Sequence, residues 1–306
     1  MLDETASGVF TISVTPFTPD GSLDLNSLDR VTDFYLEKGA TGLTVLGMMG
    51  EAGKLSASEA ETVAKRVAVR AAVPVVVGVS ASGFAQMGAL AKTAMDAGAT
   101  GVMVAPPSTL KTDAQIVSYY HGVAETLGEI PFVLQDFPLV TNVVVPVSAI
   151  LTIVEDCPTC VMLKHEDWPG LDKISALRAA SNAGSRRISI LCGNGGMYLP
   201  EEMARGADGA MTGFSYPEMM AQVVSCLKQK EPDRARDVFD AYLPLARYEN
   251  QPGMGLAIRK HVLWRRGAIE SDHVRRPGAS LNAAAQAEVD LLIRRQDIAL
   301  AELGLG

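Results

Sequence analysis

The sequence predicts a closed (β/α)8 barrel of the TIM type with additional C-terminal helices. Three observations carry the prediction. Eight short apolar runs alternate with amphipathic stretches over about 220 residues, the size of one barrel. A tetrapeptide of one form recurs between them, as Gly39-Ala40-Thr41-Gly42, Gly98-Ala99-Thr100-Gly101 and Gly206-Ala207-Asp208-Gly209. After the first run stands Thr15-Pro16-Phe17, where a doubly wound dinucleotide-binding sheet would show G-x-G-x-x-G.

The first strand, 9–14, is apolar and rich in β-branched residues. An amphipathic helix over 25–38 follows and stops at Gly39. Glycine just past a helix takes a left-handed cap without steric cost, and the apolar run after it suits a strand buried on both faces. The second strand is therefore 43–46. Ser56-Ala57-Ser58-Glu59 is a capping box that opens a helix over 57–72, ahead of a third strand at 75–79. A helix over 84–97 ends at Gly98 and leads to the fourth strand, 102–105. Helices over 114–127, 147–155 and 171–183 precede strands at 132–135, 161–163 and 188–192. A short helix over 201–205 stops at Gly206 before the eighth strand near 211, and a helix over 218–230 closes the last unit. Beyond Pro232 the strand pattern ends, and 233–248, 255–264 and 282–300 read as extra helices. The expected organisation is a barrel over 1–231 with a helical extension over 232–306 packed on it as one unit.

Composition narrows the function. The 306 residues are 48% hydrophobic and 20% charged, which suits a large core. Twenty-seven basic against thirty-five acidic residues leave a net charge of −8, the wrong sign for a nucleic-acid partner. Met1-Leu2-Asp3-Glu4 does not begin a signal peptide, and no apolar run reaches the roughly 18 residues of a membrane span, so a cytoplasmic protein with no membrane partner is expected. Cys157 and Cys160 have C-x-x-C spacing but no second such pair, so the cysteines are expected to be structural. No His, Asp and Glu cluster has metal-ligand spacing, and no metal is expected.

In such a barrel the chemistry belongs at the C-terminal ends of the strands. The sixth strand ends Leu163-Lys164-His165-Glu166. Side chains alternate along a strand, so Lys164 and Glu166 share a face and His165 takes the other. An amine at the barrel mouth, reacting in its free form, can condense with a ketone, and a neighbouring carboxylate can move protons beside the imine. Position alone is equally compatible with an ordinary lysine solvated just past its strand. The second strand ends Gly47-Met48-Met49-Gly50-Glu51, whose backbone N–H groups could hold a carboxylate. The fifth ends Gln135-Asp136, placing an amide and a carboxylate at the mouth, and the seventh ends Gly193-Asn194-Gly195-Gly196, where backbone could approach a ligand closely.

Taken together, Thr15-Pro16-Phe17, Gly47-x-x-Gly50-Glu51, the Pro138 turn, Lys164 and Gly193 resemble the dihydrodipicolinate synthase / N-acetylneuraminate lyase family. The resemblance implies a Schiff-base lyase acting on pyruvate or another 2-keto acid. It also implies a homo-oligomer, tetramer or dimer, and no cofactor beyond the covalent imine on Lys164. Family members that condense or cleave carry hydroxyl side chains between the glycines of the second-strand loop and a relay tyrosine after the fifth strand. Here those positions hold Met48-Met49 and Gln135.

Gln135-Asp136-x-Pro138, Lys164-x-Glu166 with Pro169-Gly170 following, and Gly209-Ala210-Met211-Thr212-Gly213 look like the 2-keto-3-deoxy sugar acid dehydratase branch. That resemblance implies Lys164 as the imine-forming residue and Glu166 as the acid/base. Substrate contacts are implied from Gly47, Met48, Met49, Gln135, Gly193 and Met211, the two methionines of the loop lending an apolar surrounding. The expected reaction is dehydration of a 2-keto-3-deoxy sugar acid. A pyruvate-dependent aldolase or condensing enzyme, and a non-catalytic barrel that binds a keto acid, are the alternatives.

Overall fold

The structure, a computed structural model, describes all residues except Ser82, Pro169 and Gly306, so the Pro169 part of the Pro169-Gly170 pattern lies outside the described residues. Eight parallel strands close a barrel in chain order: β1 Gly8–Ile12, β2 Gly42–Val45, β3 Val75–Gly78, β4 Gly101–Val104, β5 Phe132–Asp136, β6 Cys160–His165, β7 Ser189–Cys192 and β8 Gly209–Ala210. The pairing Gly8↔Gly209 shuts the ring. The helices between them are α1 Leu25–Glu37, α2 Ala57–Arg70, α3 Phe84–Asp96, α4 Asp113–Leu127, α5 Pro138–Thr141, α6 Val147–Asp156, α7 Leu171–Asn182, α8 Leu199–Ala204 and α9 Pro217–Lys228. Three more helices follow, α10 Pro232–Glu249, α11 Gly255–Arg265 and α12 Ala283–Glu302, with α10 packed on both α9 and α12.

The repeated glycines do what the pattern implies. Gly39, Gly98 and Gly206 have φ of 90°, 101° and 102°. Each is the residue after a helix cap, and the amide of the following alanine reaches back to the helix, Ala40 to Tyr35 O, Ala99 to Ala94 O and Ala207 to Glu202 O. This is the same six-to-one cap three times, turning the chain straight into β2, β4 and β8. The Ser56–Glu59 capping box is present in both directions.

Every strand is buried along its whole length because each face has something to cover it. Phe10, Ile12, Val76, Met103, Val133, Met162, Leu191 and Met211 fill the barrel interior, with Leu2 tucked in beside them. Leu43, Val45, Val75, Val77, Val102, Val104, Leu134, Leu163 and Ile190 pack outward against the helices. This alternation decides which strand-end residues reach the mouth. β1 stops at Ile12 and β8 at Ala210, both shorter than expected, yet Ser13 N–H donates to Thr44 O and Ile12 N–H to Thr212 O. The short helix α5 was not foreseen. Pro138 fixes its first turn, and Asn142, with φ 55°, ends it.

Candidate active site

Lys164 stands next to Gln135 of β5 and Leu191 of β7 in register. It lies two residues beyond Met162 of the interior cluster, so its side chain points into the barrel. It is 5% exposed, and Nζ lies 2.9 Å from Glu166 Oε2. The same oxygen accepts a 2.7 Å hydrogen bond from Gln135 Nε2. Glu166 Oε1 takes no hydrogen bond from the described residues and, unlike the orphaned polar atoms of the interior, is not sealed off. Backbone contacts fix the carrier of this carboxylate: Glu166 N–H donates to Asp136 O, and Asn194 Nδ2 donates to Glu166 O. A lysine amine at this place can add to a carbonyl, and the touching carboxylate stands where protons move beside the imine.

Alternation also settles what does not belong here. His165 faces outward, wholly buried, with Nδ1 3.3 Å from Glu202 Oε1 on α8. Asp136, expected at the mouth beside Gln135, pairs in register with His165 and therefore also faces outward. It meets Lys173 Nζ at 2.7 Å behind the barrel wall, where burial raises its pKa and the lysine opposes that rise.

Gly193 has a structural part that the sequence did not show. A Cβ there would fall 2.0 Å from Glu166 Cγ, so the glycine makes room for the Glu166 side chain. Gly193→Ala should push the carboxylate aside by an ångström or more. A displacement of that size costs about a hundredfold in turnover. Trapping of a keto acid on the lysine should survive, and steady-state kinetics beside borohydride trapping would show whether the two separate.

The second-strand loop is a single tight turn, Met48–Gly50, after the buried Gly47. The amide N–H groups of Met48 and Met49 find no acceptor among the described residues. Thr15 Oγ1 ties the turn to the first strand by donating to Gly50 O at 2.6 Å. Left-handed residues bracket it, Leu46 with φ 57° and Glu51 with φ 56°. The carbonyl of Leu46 swings to within 2.3 Å of where a Cβ on Gly78 would lie, so only glycine is accommodated at that strand end. Side chains holding such backbone cost on the order of 1–3 kcal/mol each and gather at functional sites. Met49 packs on the interior cluster, whereas the Met48 side chain is 40% exposed. Met211, expected against the substrate, is fully buried in the interior layer below the rim.

Two groups at the rim escaped the sequence reading. Thr212 Oγ1 accepts from Gly195 N–H, joining the ends of β7 and β8, and the Asn250 side chain approaches Gly195 from the C-terminal extension. Thr212 follows the inward-facing Met211, so strand alternation does not predict it, and the place of Asn250 depends on how the distant extension packs against Gly195. The four cysteines are buried and unpaired, and burial raises Cys160 to about 12, as inert structural thiols require. Among the described residues no group of His, Cys, Asp and Glu could hold a metal ion, and no helix is long and apolar enough to cross a membrane.

A (β/α)8 barrel whose sixth strand turns a lysine inward onto a carboxylate defines a class, the Schiff-base lyases of 2-keto acids. The chain belongs to the dihydrodipicolinate synthetase family, whose sequence model matches residues 5–296. That family works through a lysine Schiff base and needs no external cofactor. The chain is 28% identical to the L-2-keto-3-deoxyarabonate dehydratase of Azospirillum brasilense over 303 residues, 95% of this chain and 94% of the relative. It is 30% identical to the 4-hydroxy-tetrahydrodipicolinate synthase of Persephonella marina over 244 residues, 78% of this chain and 80% of the relative. Among solved structures, the dihydrodipicolinate synthase from Rhodopseudomonas palustris is 54% identical, with a TM-score of 0.95 over 96% of this chain and 99% of that one.

Proposed function

We propose that this lyase is a hydro-lyase that dehydrates a 2-keto-3-deoxy sugar acid, with Lys164 forming the imine and Glu166 moving the protons. The observation that carries the reading is the shared contact at Glu166 Oε2, 2.9 Å from Lys164 Nζ and bonded by Gln135 Nε2. Lys164 adds to the C2 carbonyl and loses water to give a protonated imine. The positive nitrogen acidifies C3, and Glu166 takes one C3 proton, leaving the enamine. The enamine pair then forms the C3–C4 double bond while the C4–O bond breaks. Glu166 returns its proton to the departing oxygen, which leaves as water. Hydrolysis of the conjugated imine restores the lysine. The free N–H groups of Met48 and Met49 suit the substrate carboxylate.

Retro-aldol cleavage would instead require deprotonating the C4 hydroxyl through a relay. Gln135 stands where the family's synthases carry the relay tyrosine, and its amide can orient Glu166 but cannot shuttle protons. The likeness to the Rhodopseudomonas palustris synthase favours a second reading, a pyruvate-condensing enzyme. Incubation with 2-keto-3-deoxy pentonates and hexonates, followed by mass analysis, tests both. The expected product is lighter than its substrate by one water. Release of pyruvate with an aldehyde, or consumption of pyruvate with added aldehydes and no dehydration, would replace the hydro-lyase assignment.

A further inference from the structure

The turn that offers the Met48 and Met49 amides is held by a residue far away in the chain. Glu51 closes the turn in a left-handed conformation, and its carboxylate is buried. Oε1 lies 2.5 Å from Lys260 Nζ on α11, and Oε2 accepts from Lys54 Nζ at 2.8 Å and from Arg275 N–H at 3.0 Å. Lys260 is the least exposed ammonium of this cluster. Its side chain has no exposure at all, its second hydrogen bond goes to His273 O at 2.8 Å, and its charge sits 4.5 Å from the centroid of the Phe17 ring. Arg275 covers the same ring at 4.2 Å while its guanidinium pairs with Glu59. Phe17 of the Thr15-Pro16-Phe17 run is thus clasped between two cations supplied by the C-terminal extension.

A buried lysine on an extension helix is costly to desolvate and needs a compensating role. A surface-stabilising role does not explain why its partner is the one strained residue at the exit of the substrate-facing turn. The entry strain at Leu46 is locked by packing against Gly78, whereas the exit strain at Glu51 is held by two local backbone bonds, to Met48 O and from Lys54 N–H, and by its carboxylate, which alone ties it to the C-terminal extension. Releasing the carboxylate would let Glu51 relax to the right-handed region. The Gly50–Glu51 peptide would then be held by its Thr15 tether and the bond to Met48 O alone, and the two free amides would lose part of their aim.

We propose that Lys260 is a positioning residue for the substrate carboxylate, clamping Glu51 so that the Met48 and Met49 amides stay in place. The inference rests on the reading of Lys164 as the imine former and of the 48–50 turn as the carboxylate cradle. Burial pushes Lys260 down to about 8 against the pull of Glu51, whose carboxylate opposes that fall.

The test is the pyruvate dependence of borohydride inactivation in Lys260→Met and in the neutral pair Glu51→Gln/Lys260→Met, each checked for folding by thermal unfolding. The half-saturating pyruvate concentration should rise about tenfold or more in both, with trapping at saturation still complete. The double variant removes both fully buried charges and leaves Lys54, part-exposed and still bonded to Arg275 O, so it separates positioning from the burial of the Lys260 charge. Wild-type affinity in a folded Lys260→Met protein, or its restoration in the double variant, would overturn the clamp while leaving the imine assignment intact. If the wild-type protein itself is never trapped, the underlying reading fails and the clamp fails with it.

Discussion

Lys164→Ala should eliminate reductive trapping of pyruvate altogether and lower turnover by a factor on the order of 10⁴–10⁶, the range seen when an enzyme loses its covalent nucleophile. The lysines nearest to it in the chain and in the buried clusters are committed elsewhere. Lys173 is the next nearest along the chain, and it is spent behind the wall on Asp136 and Asp167 at 2.7 Å each. Lys260 is sealed under Phe17. The alanine variant also strands a largely buried Glu166, and removing one member of a buried pair costs about 3–5 kcal/mol. Lys164→Arg guards against that ambiguity, because a guanidinium keeps the charge beside Glu166 but forms no imine. Both variants should be untrapped by borohydride in intact-mass measurements, with the arginine form unfolding near the wild-type temperature. A mass increment of one pyruvate on either would move the imine to a different residue.

How far the sequence led can be judged residue by residue. The barrel was legible because its signals are local. A cap glycine such as Gly98 sits beside the helix it ends and the strand it starts, and alternation along 160–166 separates Lys164 from His165 without any tertiary information. Where alternation was not applied, the reading failed. Asp136 was expected at the mouth although it follows the inward-facing Gln135, and so had to face outward. Met48 and Met211 show a second limit. Residue type and position in a motif do not reveal that one side chain leaves a tight turn toward solvent while the other lies one layer below the rim. The Lys260–Glu51 clamp marks the third limit. Its partners are 209 positions apart, and nothing in the run around Lys260 distinguishes a buried clamp from a solvated lysine. Likewise Gly193 was legible as a special glycine, but that Glu166 fills its space follows only from the register of β6 against β7.

Glu166→Gln is expected to leave the imine and remove the reaction. The substitution is nearly isosteric, so the amide oxygen can still accept from Gln135 Nε2 and the chain can still lie over Gly193. What is lost is a group able to take a proton from C3 and return one to the leaving oxygen. General acid–base catalysis contributes about 10²–10⁴-fold per group, and a fall in turnover of that size is expected here. Activity alone would not separate a base from a residue that merely orients the lysine. Exchange of the C3 protons of bound pyruvate with deuterated solvent does, because that exchange requires imine formation followed by proton abstraction and nothing further. The wild-type protein should exchange them rapidly. In Glu166→Gln the exchange should slow by the same 10²–10⁴-fold while borohydride trapping remains complete at saturating pyruvate. Exchange at the wild-type rate would place the base elsewhere, and the rim groups Asn194 and Thr212 cannot serve, since neither an amide nor an aliphatic hydroxyl is a base near neutral pH. Loss of both trapping and exchange would instead make Glu166 a partner needed to deprotonate Lys164, and its part in the C3 step would then have to be argued afresh.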